Sequence, residues 1–261
     1  MAQVDPITVI IQCRNRPLYL WACLDSLYRH THHPARFILT DNASDDPMVR
    51  EVVRGFERRS MFHKVEWHSE NDPTRLLQAV RTYSDGLGDK IVVFDSDVVV
   101  FDSDPCWLTR MSTLMDENPK LGLLGSYVDK RDFIPYDDIA PLLHDKTRAE
   151  ANALTKATSP ERDLPAIQPD EPLIDPFNPA GRLVMARKSI LHKLVFSRDG
   201  QVYRHARKAG VQCAIATTVL HRHLSLLNAY DYSDYSMEAR NAHFEKVSEP
   251  TPVVEPPDDQ D

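Results

Sequence analysis

The sequence predicts an α/β fold in a single domain, with a mostly parallel sheet covered by helices on both faces. Between residues 7 and 94, short runs rich in Val and Ile alternate with stretches whose apolar residues have helical spacing. Such alternation is typical of parallel strands joined by crossover helices. The strand runs are apolar nearly throughout, as expected for strands buried on both faces of a sheet. A chain of 261 residues is also long enough to bury a substantial core.

Four strands are predicted in this first part of the chain, because four short runs are rich in β-branched and aromatic residues. These strands are residues 7–12, 36–41, 64–68 and 90–94.

Three helices are predicted between these strands. Leu20, Leu24 and Leu27 recur at i, i+4 and i+7 after the first strand, which is the spacing of one buried helix face. Pro47 stands where a first helical turn accepts proline, and it predicts the start of the second helix. The third helix is predicted over residues 73–83, before a glycine-rich break.

The second half of the chain is less regular. We predict strands at 121–126, 181–186 and 211–218, and a helix that ends with Gly210 as its C-cap. Residues 129–178 are polar and Pro-rich, which indicates an excursion or lid rather than core. The chain is therefore divided into residues 1–126, an excursion at 127–179, residues 180–247, and a disordered tail at 248–261.

Charge and composition exclude several classes of protein. The formal net charge is -8, and five of the acidic residues lie in the tail, which contains no Lys or Arg. The rest of the chain is only mildly acidic, so no basic face for duplex nucleic acid is expected. No apolar run is long enough for a transmembrane segment, and no signal peptide is evident. Four scattered cysteines fit reduced thiols in a cytoplasmic protein.

Carboxylates follow two of the predicted strands directly. Asp41 ends the second strand, and Asp95 and Asp97 end the fourth. Ligands of open parallel sheets bind at the carboxyl ends of the strands, so these side chains are expected to share one crevice. Two carboxylates one residue apart suit Mg²⁺ or Mn²⁺, which prefer oxygen ligands and retain waters. The alternative is that Asp95 to Asp97 is only a solvated turn.

The same tripeptide, Asp-Ser-Asp, occurs again at residues 102–104. The chain continues apolar beyond the first copy and then enters a predicted helix after Pro105. We therefore assign metal binding to the first copy, and we interpret Asp102 and Asp104 as turn and cap residues, with Asp104 as the N-cap.

Three stretches of the sequence carry the motifs of one known family. Residues 7–46, "ITVIIQCRNRPLYLWACLDSLYRHTHHPARFILTDNASDD", resemble the opening of that family, from its first strand to its "VDNGSTD" turn. "IVVFDSDVVV" resembles its DxD strand, and "RDGQVYRHARKAGVQCAIATTVLHRHLS" resembles its "EDxDLxxRxxxAG" helix and the strand after it. Three motifs in the right order are more specific than any one of them. Together they resemble the family 2 type inverting glycosyltransferases with the GT-A fold.

The resemblance implies a nucleotide-sugar donor, for which a UDP-sugar is the preferred assignment, and a metal ion that bridges its diphosphate. It implies that residues from the first two strand ends and from the DxD strand bind this donor. The implied donor-binding residues are Cys13, Arg14, Asn15, Asp41, Asp95 and Ser96.

The resemblance also implies the metal ligands and the base. Asp97 is the implied metal ligand, with Asp95 close by and His221 as a further ligand or phosphate contact. Asp199 aligns with the usual general base, although the preceding family Glu is Arg198 in this sequence. Read from the residues alone, Asp199 also fits a plain helix N-cap.

Two other classes of function stay open at this point. A nucleotidyltransferase on a similar sheet would be expected to carry a glycine-rich phosphate loop after the first strand, and "QCRNRPL" has no glycine. A catalytically silent binding or scaffold protein is the other alternative. The acceptor of the implied glycosyltransferase is a hydroxyl of a glycan, a protein, a small molecule or a lipid-linked sugar.

Overall fold

The computed structural model describes residues 5–85, 88–129, 170–177, 182–196 and 201–224, which form one nine-stranded sheet with flanking helices. The strands are β1 (Ile7–Cys13), β2 (Ala35–Asp41), β3 (Phe62–Trp67), β4 (Lys90–Asp95), β5 (Val98–Val100), β6 (Leu121–Val128), β7 (Leu173–Ile174), β8 (Leu183–Arg187) and β9 (Gln212–His223). Their order in the sheet is β3-β2-β1-β4-β8-β6-β9-β5, and β7 pairs with β9.

Most strands of the sheet run in the same direction. The pairs β1–β2, β1–β4, β2–β3 and β6–β9 are parallel. Strand β8 is antiparallel to both of its neighbours, and β5 and β7 are antiparallel to β9. The predicted mostly parallel sheet is confirmed. Of the antiparallel strands, β7 and β8 belong to the less regular second half of the chain, and β5 directly follows the first Asp-Ser-Asp.

The helices begin where the sequence carries helix-start signals. They are α1 (Pro17–His30), α2 (Pro47–Glu57), α3 (Arg75–Tyr83), α4 (Trp107–Glu117), α5 (Gln201–Lys208) and a 3₁₀ helix, η1 (Lys188–Lys193). Pro17 and Pro47 are the first residues of α1 and α2. Proline is favoured there because the N–H groups of a first helical turn have no acceptor within the helix, so the N–H that proline lacks is not needed. Asp46 caps α2 by accepting a hydrogen bond from the backbone N–H of Met48 at 2.8 Å.

A hydrophobic core lies on each face of the sheet. Helices α1, α2 and α4 cover one face, where Leu24, Val53 and Met111 are fully buried. Helices α3 and α5 cover the other face, where Val80 and Val202 are fully buried. The prediction of helices on both faces is therefore confirmed. The helices on each face bury the sheet and leave the strand ends at its edge.

Strand β1 serves both cores at once. Val9 and Ile11 belong to the core under α1, whereas Ile10 between them belongs to the core under α3. Successive side chains of a strand point to opposite faces, so a central strand needs apolar residues at every position. This is the physical reason for the uninterrupted apolar run that predicted the strand.

Strand β9 is longer than predicted and is bent by an irregularity. Ser126 of β6 pairs with Ala216, but the next residue, Tyr127, pairs with Leu220, so residues 217–219 have no partners on β6. Beyond this bulge the strand continues to pair antiparallel with β5, where Val98 lies opposite His223. The end of β9 is thereby brought beside the residues that follow β4.

The assignment of Asp104 as a helix cap is wrong. Helix α4 begins at Trp107 with Cys106 as its N-cap, and Cys106 makes no side-chain capping hydrogen bond. The carbonyl of Asp104 instead accepts a hydrogen bond from the Arg110 guanidinium at 2.6 Å. Asp102 is exposed and lies 3.6 Å from the ring of His30, so the second Asp-Ser-Asp is a surface turn.

No helix in the described ranges is both long and apolar enough to cross a membrane. Most of the predicted excursion, the tail and Asp199 lie outside the described residues. Within the excursion, Leu173 and Ile174 form β7 and extend the sheet beside β9.

The packing of α5 on β6 gives a first prediction. A Cβ added at Gly125 would lie 2.8 Å from Cζ of Tyr203 and still closer to its hydroxyl oxygen. Gly125→Ala should therefore destabilise the protein by about 1–3 kcal/mol through overpacking. Adding Tyr203→Phe to this variant should restore part of the loss, because it removes the atom in closest contact.

Gly55→Ala is the matched control. Gly55 lies in α2, and an added Cβ there meets no atom within 4 Å. This change should stabilise by about 0.5–1 kcal/mol, because alanine is the better helix former. Chemical denaturation measures all three variants, and an unchanged free energy of unfolding for Gly125→Ala would contradict the described packing.

Candidate functional site

The ends of three neighbouring parallel strands meet at one edge of the sheet. Cys13 pairs with Asp41 at the ends of β1 and β2, and Gln12 pairs with Asp95 at the ends of β1 and β4. Strand-end residues of a parallel sheet line the crevice in which ligands bind. The two carboxylates and the loop after β1 therefore lie around one crevice.

Asp97 lies between two basic side chains in this crevice. The guanidinium of Arg16 donates a hydrogen bond to Asp97 Oδ2 at 2.9 Å, and Nε2 of His223 lies 3.5 Å from the same oxygen. The backbone carbonyl of Asp97 accepts a hydrogen bond from the N–H of Leu224 at 2.9 Å. Asp97 is therefore held at three points, one from the loop after β1 and two from the end of β9.

These partners keep Asp97 ionised. Burial alone would raise the pKa of Asp97, but the His223 imidazole and the Arg16 guanidinium outweigh it and lower that pKa well below its ordinary value. An ionised carboxylate accepts only, so Asp97 is suited to bind a cation and cannot act as an acid.

Asp95 has a basic neighbour of its own. The guanidinium of Arg182 lies 3.6 Å from Asp95 Oδ1, and the carbonyl of Arg182 accepts a hydrogen bond from the backbone N–H of Asp95 at 2.9 Å. Arg182 is buried at 6% exposure, just before β8. Each carboxylate of the first Asp-Ser-Asp therefore has a guanidinium beside it.

Asp41 organises the loop that follows β2. Its carboxylate accepts hydrogen bonds from the backbone N–H of Ser44 at 2.9 Å and from the Ser44 hydroxyl. The thiol of Cys13 donates to it at 3.5 Å, and burial together with the Asp41 charge raises the pKa of that thiol. In this structure Asp41 makes turn contacts, and its contact with a donor stays a prediction.

Asn15 ties the loop after β1 to the loop after β2. Its side-chain oxygen accepts hydrogen bonds from the backbone N–H groups of Asp45 and Asp46 at 3.0 and 3.2 Å, and its own N–H donates to Ser44 Oγ at 2.7 Å. Asn15 has φ of 53° and Arg16 has φ of 58°, which is left-handed backbone. Such backbone costs of order 1–3 kcal/mol at a residue other than glycine, so these hydrogen bonds stabilise a strained turn.

The two histidines at the end of β9 have different surroundings. His221 is fully buried, and its Nδ1 lies 2.8 Å from the hydroxyl of Ser126. His223 is the histidine whose ring faces Asp97. The structure therefore brings His223, rather than the predicted His221, to the predicted metal ligand, because the β5–β9 register places His223 opposite Val98.

The chemistry of this donor set fits Mn²⁺ or Mg²⁺. Asp95 and Asp97 supply oxygen ligands at a strand end, and an imidazole nitrogen is acceptable to Mn²⁺. Within the described ranges no three His, Cys, Asp or Glu side chains form a ready cluster for a metal ion. An ion at this crevice would complete its coordination with waters and ligand oxygens, as Mg²⁺ usually does.

The sequence did not single out Arg16 as a site residue. Arg182 and His223 were likewise not among the site residues predicted from the sequence. The missed signal was a second basic residue, two positions after Arg14, in the loop at the edge where the carboxylates were expected. Arg14 is exposed and Ser96 is half-buried in the turn after β4, and Asp199 lies outside the described residues.

Comparison with known sequences gives a family match. The model described as "Glycosyl transferase family 2" matches residues 8–160, which is more than half of the chain. No protein of curated function matches the sequence.

Solved structures with a similar fold include three enzyme complexes. The mannosyltransferase PcManGT of Pyrobaculum calidifontis, in complex with GDP-Man and Mn²⁺, has a TM-score of 0.56 and 15% identity over 85% of this chain and 58% of its own. Glucosyl-3-phosphoglycerate synthase of Mycobacterium tuberculosis, with Mn²⁺, UDP-Glc and phosphoglyceric acid, has a TM-score of 0.51 and 15% identity over 93% of this chain and 77% of its own. GalNAc-T7, with UDP, GalNAc and Mn²⁺, has a TM-score of 0.53 and 12% identity over 85% of this chain and 44% of its own. The likeness establishes a GT-A fold, and the chain spans well under two thirds of the first and third of these proteins.

The strained turn gives a second prediction. Asn15→Ala removes the acceptor for two backbone N–H groups and keeps a left-handed backbone, so it should cost about 1–3 kcal/mol of stability. Asn15→Gly loses the same hydrogen bonds but tolerates the backbone, so it should cost less than Asn15→Ala.

Ala43→Gly is the control for this pair, because Ala43 also has positive φ, at 62°. Relief of strain without loss of a side-chain hydrogen bond should leave its stability unchanged or slightly higher. Thermal and denaturant unfolding measure the series. A glycine at position 15 that costs as much as alanine would show that the backbone there is not strained.

Proposed function

The chain belongs to glycosyl transferase family 2, and on that premise we propose that it is a metal-dependent enzyme that moves a sugar from a nucleotide-sugar donor to an acceptor hydroxyl with inversion. The observation that carries the proposal is the first Asp-Ser-Asp. Its two carboxylates stand at the end of β4, in the crevice of the parallel sheet, with His223 facing Asp97. We propose UDP as the nucleotide of the donor.

Asp97 and His223 are the proposed metal ligands, with Asp95 beside them. His223 takes the role predicted for His221, because its ring lies at Asp97 while that of His221 contacts Ser126. When bound, the ion supplies positive charge that stabilises the diphosphate leaving group.

The protein's own residues have two further tasks in the proposed reaction. Arg182 is buried beside Asp95 and keeps positive charge at the strand ends, where the leaving group gains negative charge. The loop after β1 and the loop after β2, joined through Asn15 and Ser44, form the side of the crevice proposed for the nucleoside. Cys13 and Asp41 lie at the base of this side.

The transfer itself needs a base on the acceptor side, and we propose Asp199 for it. The acceptor oxygen forms a bond to the anomeric carbon while the bond from that carbon to the diphosphate oxygen breaks. The hydroxyl proton passes to the Asp199 carboxylate, and the electron pair of the broken bond leaves with the diphosphate. Attack from the face opposite the leaving group inverts the anomeric configuration.

The metal assignment is tested with Asp97→Ala. This variant should fold and should lose at least about 10²-fold of its Mn²⁺-stimulated release of nucleoside diphosphate, measured over a panel of UDP- and GDP-sugars. Asp102→Ala is the matched control from the second Asp-Ser-Asp, and it should retain its turnover because Asp102 is an exposed neighbour of His30. Full activity of Asp97→Ala, or full wild-type activity in EDTA, would refute metal dependence.

The base is tested with Asp199→Asn, a nearly isosteric change that keeps the ability to cap a helix. If Asp199 accepts the proton, this variant should bind donor normally and lose about 10²-fold or more in kcat. NMR of the product should show an anomeric configuration opposite to that of the donor. An active Asp199→Asn, or a retained configuration, would move the base to another residue.

The same donor panel distinguishes the alternatives. A nucleotidyltransferase would transfer the nucleotidyl group of the donor and release sugar 1-phosphate rather than nucleoside diphosphate, and a scaffold protein would release neither.

A further inference from the structure

Arg16 occupies an unusual position for a basic residue. It is the N-cap of α1, has left-handed backbone, and its carbonyl accepts the first helical hydrogen bond, from the N–H of Leu20 at 3.0 Å. The N-terminus of a helix carries partial positive charge, which disfavours a cation there. The first turn of α1 contains no acidic residue to offset it.

Two contacts within the described residues help to hold the Arg16 side chain in this place. The guanidinium donates to Asp97 Oδ2 at 2.9 Å, and its carbon lies 5.3 Å from the centre of the Tyr19 ring, which is fully buried. The pair is partly shielded from water, at 21% exposure for Arg16 and 17% for Asp97. An ion pair with this shielding is screened less than a surface pair.

Arg16 therefore opposes the ion that Asp97 is proposed to bind. A divalent cation that takes Asp97 Oδ2 must replace the guanidinium on that oxygen. The second guanidinium, Arg182 beside Asp95, adds positive charge at the same strand end. A divalent metal ion without an accompanying anion would add two positive charges beside the guanidinium groups of Arg16 and Arg182. Coulomb repulsion disfavours this arrangement.

We propose that Arg16 exchanges partners during donor binding, leaving Asp97 for the metal ion and turning to the diphosphate of the donor. The inference rests on the proposed function, because it takes the donor to be a nucleoside diphosphate sugar. The planar guanidinium matches a diphosphate as well as it matches a carboxylate. The N-terminus of α1 also favours an anion beside Arg16 once the carboxylate contact is lost.

The exchange makes metal and nucleotide binding depend on each other. Metal alone binds weakly because it competes with Arg16, and the diphosphate removes this competition by giving Arg16 another partner. By linkage, the metal strengthens nucleotide binding by the same factor. Arg16 is therefore the residue through which the crevice prefers a metal–diphosphate pair to either component.

The test measures affinities rather than turnover. Binding of Mn²⁺ alone is followed by electron paramagnetic resonance, and binding of UDP and of GDP by calorimetry with and without Mn²⁺. Arg16→Gln should bind Mn²⁺ alone about tenfold more tightly than wild type, because the competitor is gone. It should bind UDP about tenfold more weakly in the presence of Mn²⁺, and the coupling between the two ligands should shrink.

Arg54→Gln is the matched control for the loss of one positive charge. Arg54 lies on α2 at 58% exposure and pairs with Glu51, so this change should leave both affinities at wild-type values. Adding Asp97→Ala to Arg16→Gln should abolish the gain in Mn²⁺ affinity, which places the gain at Asp97.

Arg16→Lys covers the case in which Arg16→Gln does not fold. Lysine keeps the competing charge but loses the planar fork, so Mn²⁺ affinity should stay near wild type while UDP affinity falls several-fold. Unchanged or weaker Mn²⁺ binding in folded Arg16→Gln, or unchanged UDP binding in Arg16→Lys, overturns the exchange. If wild-type protein binds neither UDP nor GDP, the proposed function fails, and the Mn²⁺ comparison still tests whether Arg16 competes at Asp97.

Discussion

Asp97 is contacted by basic side chains from opposite ends of the chain, and the arrangement of the site follows from this meeting. Arg16 comes from the loop after β1, and His223 comes from the end of β9. Neither would reach Asp97 without the sheet order, which places β4 beside β1 and lets the end of β9 pair with β5 directly after Asp97. The fold thus brings to one carboxylate two partners that lie 207 residues apart in the chain.

The sequence predicted the first half of the fold well, because there each element is a simple one. Central strands are buried on both faces and are therefore apolar throughout. Helices with one face exposed to solvent carry their apolar residues at helical spacing. The second half depends on long-range pairing that leaves little local trace. The antiparallel insertion of β8 between β4 and β6, and the bulge in β9, are consequences of tertiary contact and not of local propensity.

The candidate site divides in a similar way. Carboxylates at strand ends could be located from the sequence, because parallel strands bring their ends to one edge. Which histidine faces Asp97 could not, because it depends on the register between β9 and β5. The mistaken cap at Asp104 has a local cause: the motif before a helix was read as its start, whereas α4 begins three residues later, at Trp107.

The bulge in β9 also constrains how this protein can evolve. Residues 217–219 form this bulge, and their number determines on which face of the strand each later side chain lies. In a strand, removal of a single residue turns every later side chain to the opposite face. Loss of one residue from this bulge would move Leu224 to the position that now belongs to His223, and an apolar side chain would then face Asp97. Surface loops usually tolerate insertions and deletions. We expect none in residues 217–219 of functional proteins that descend from this chain.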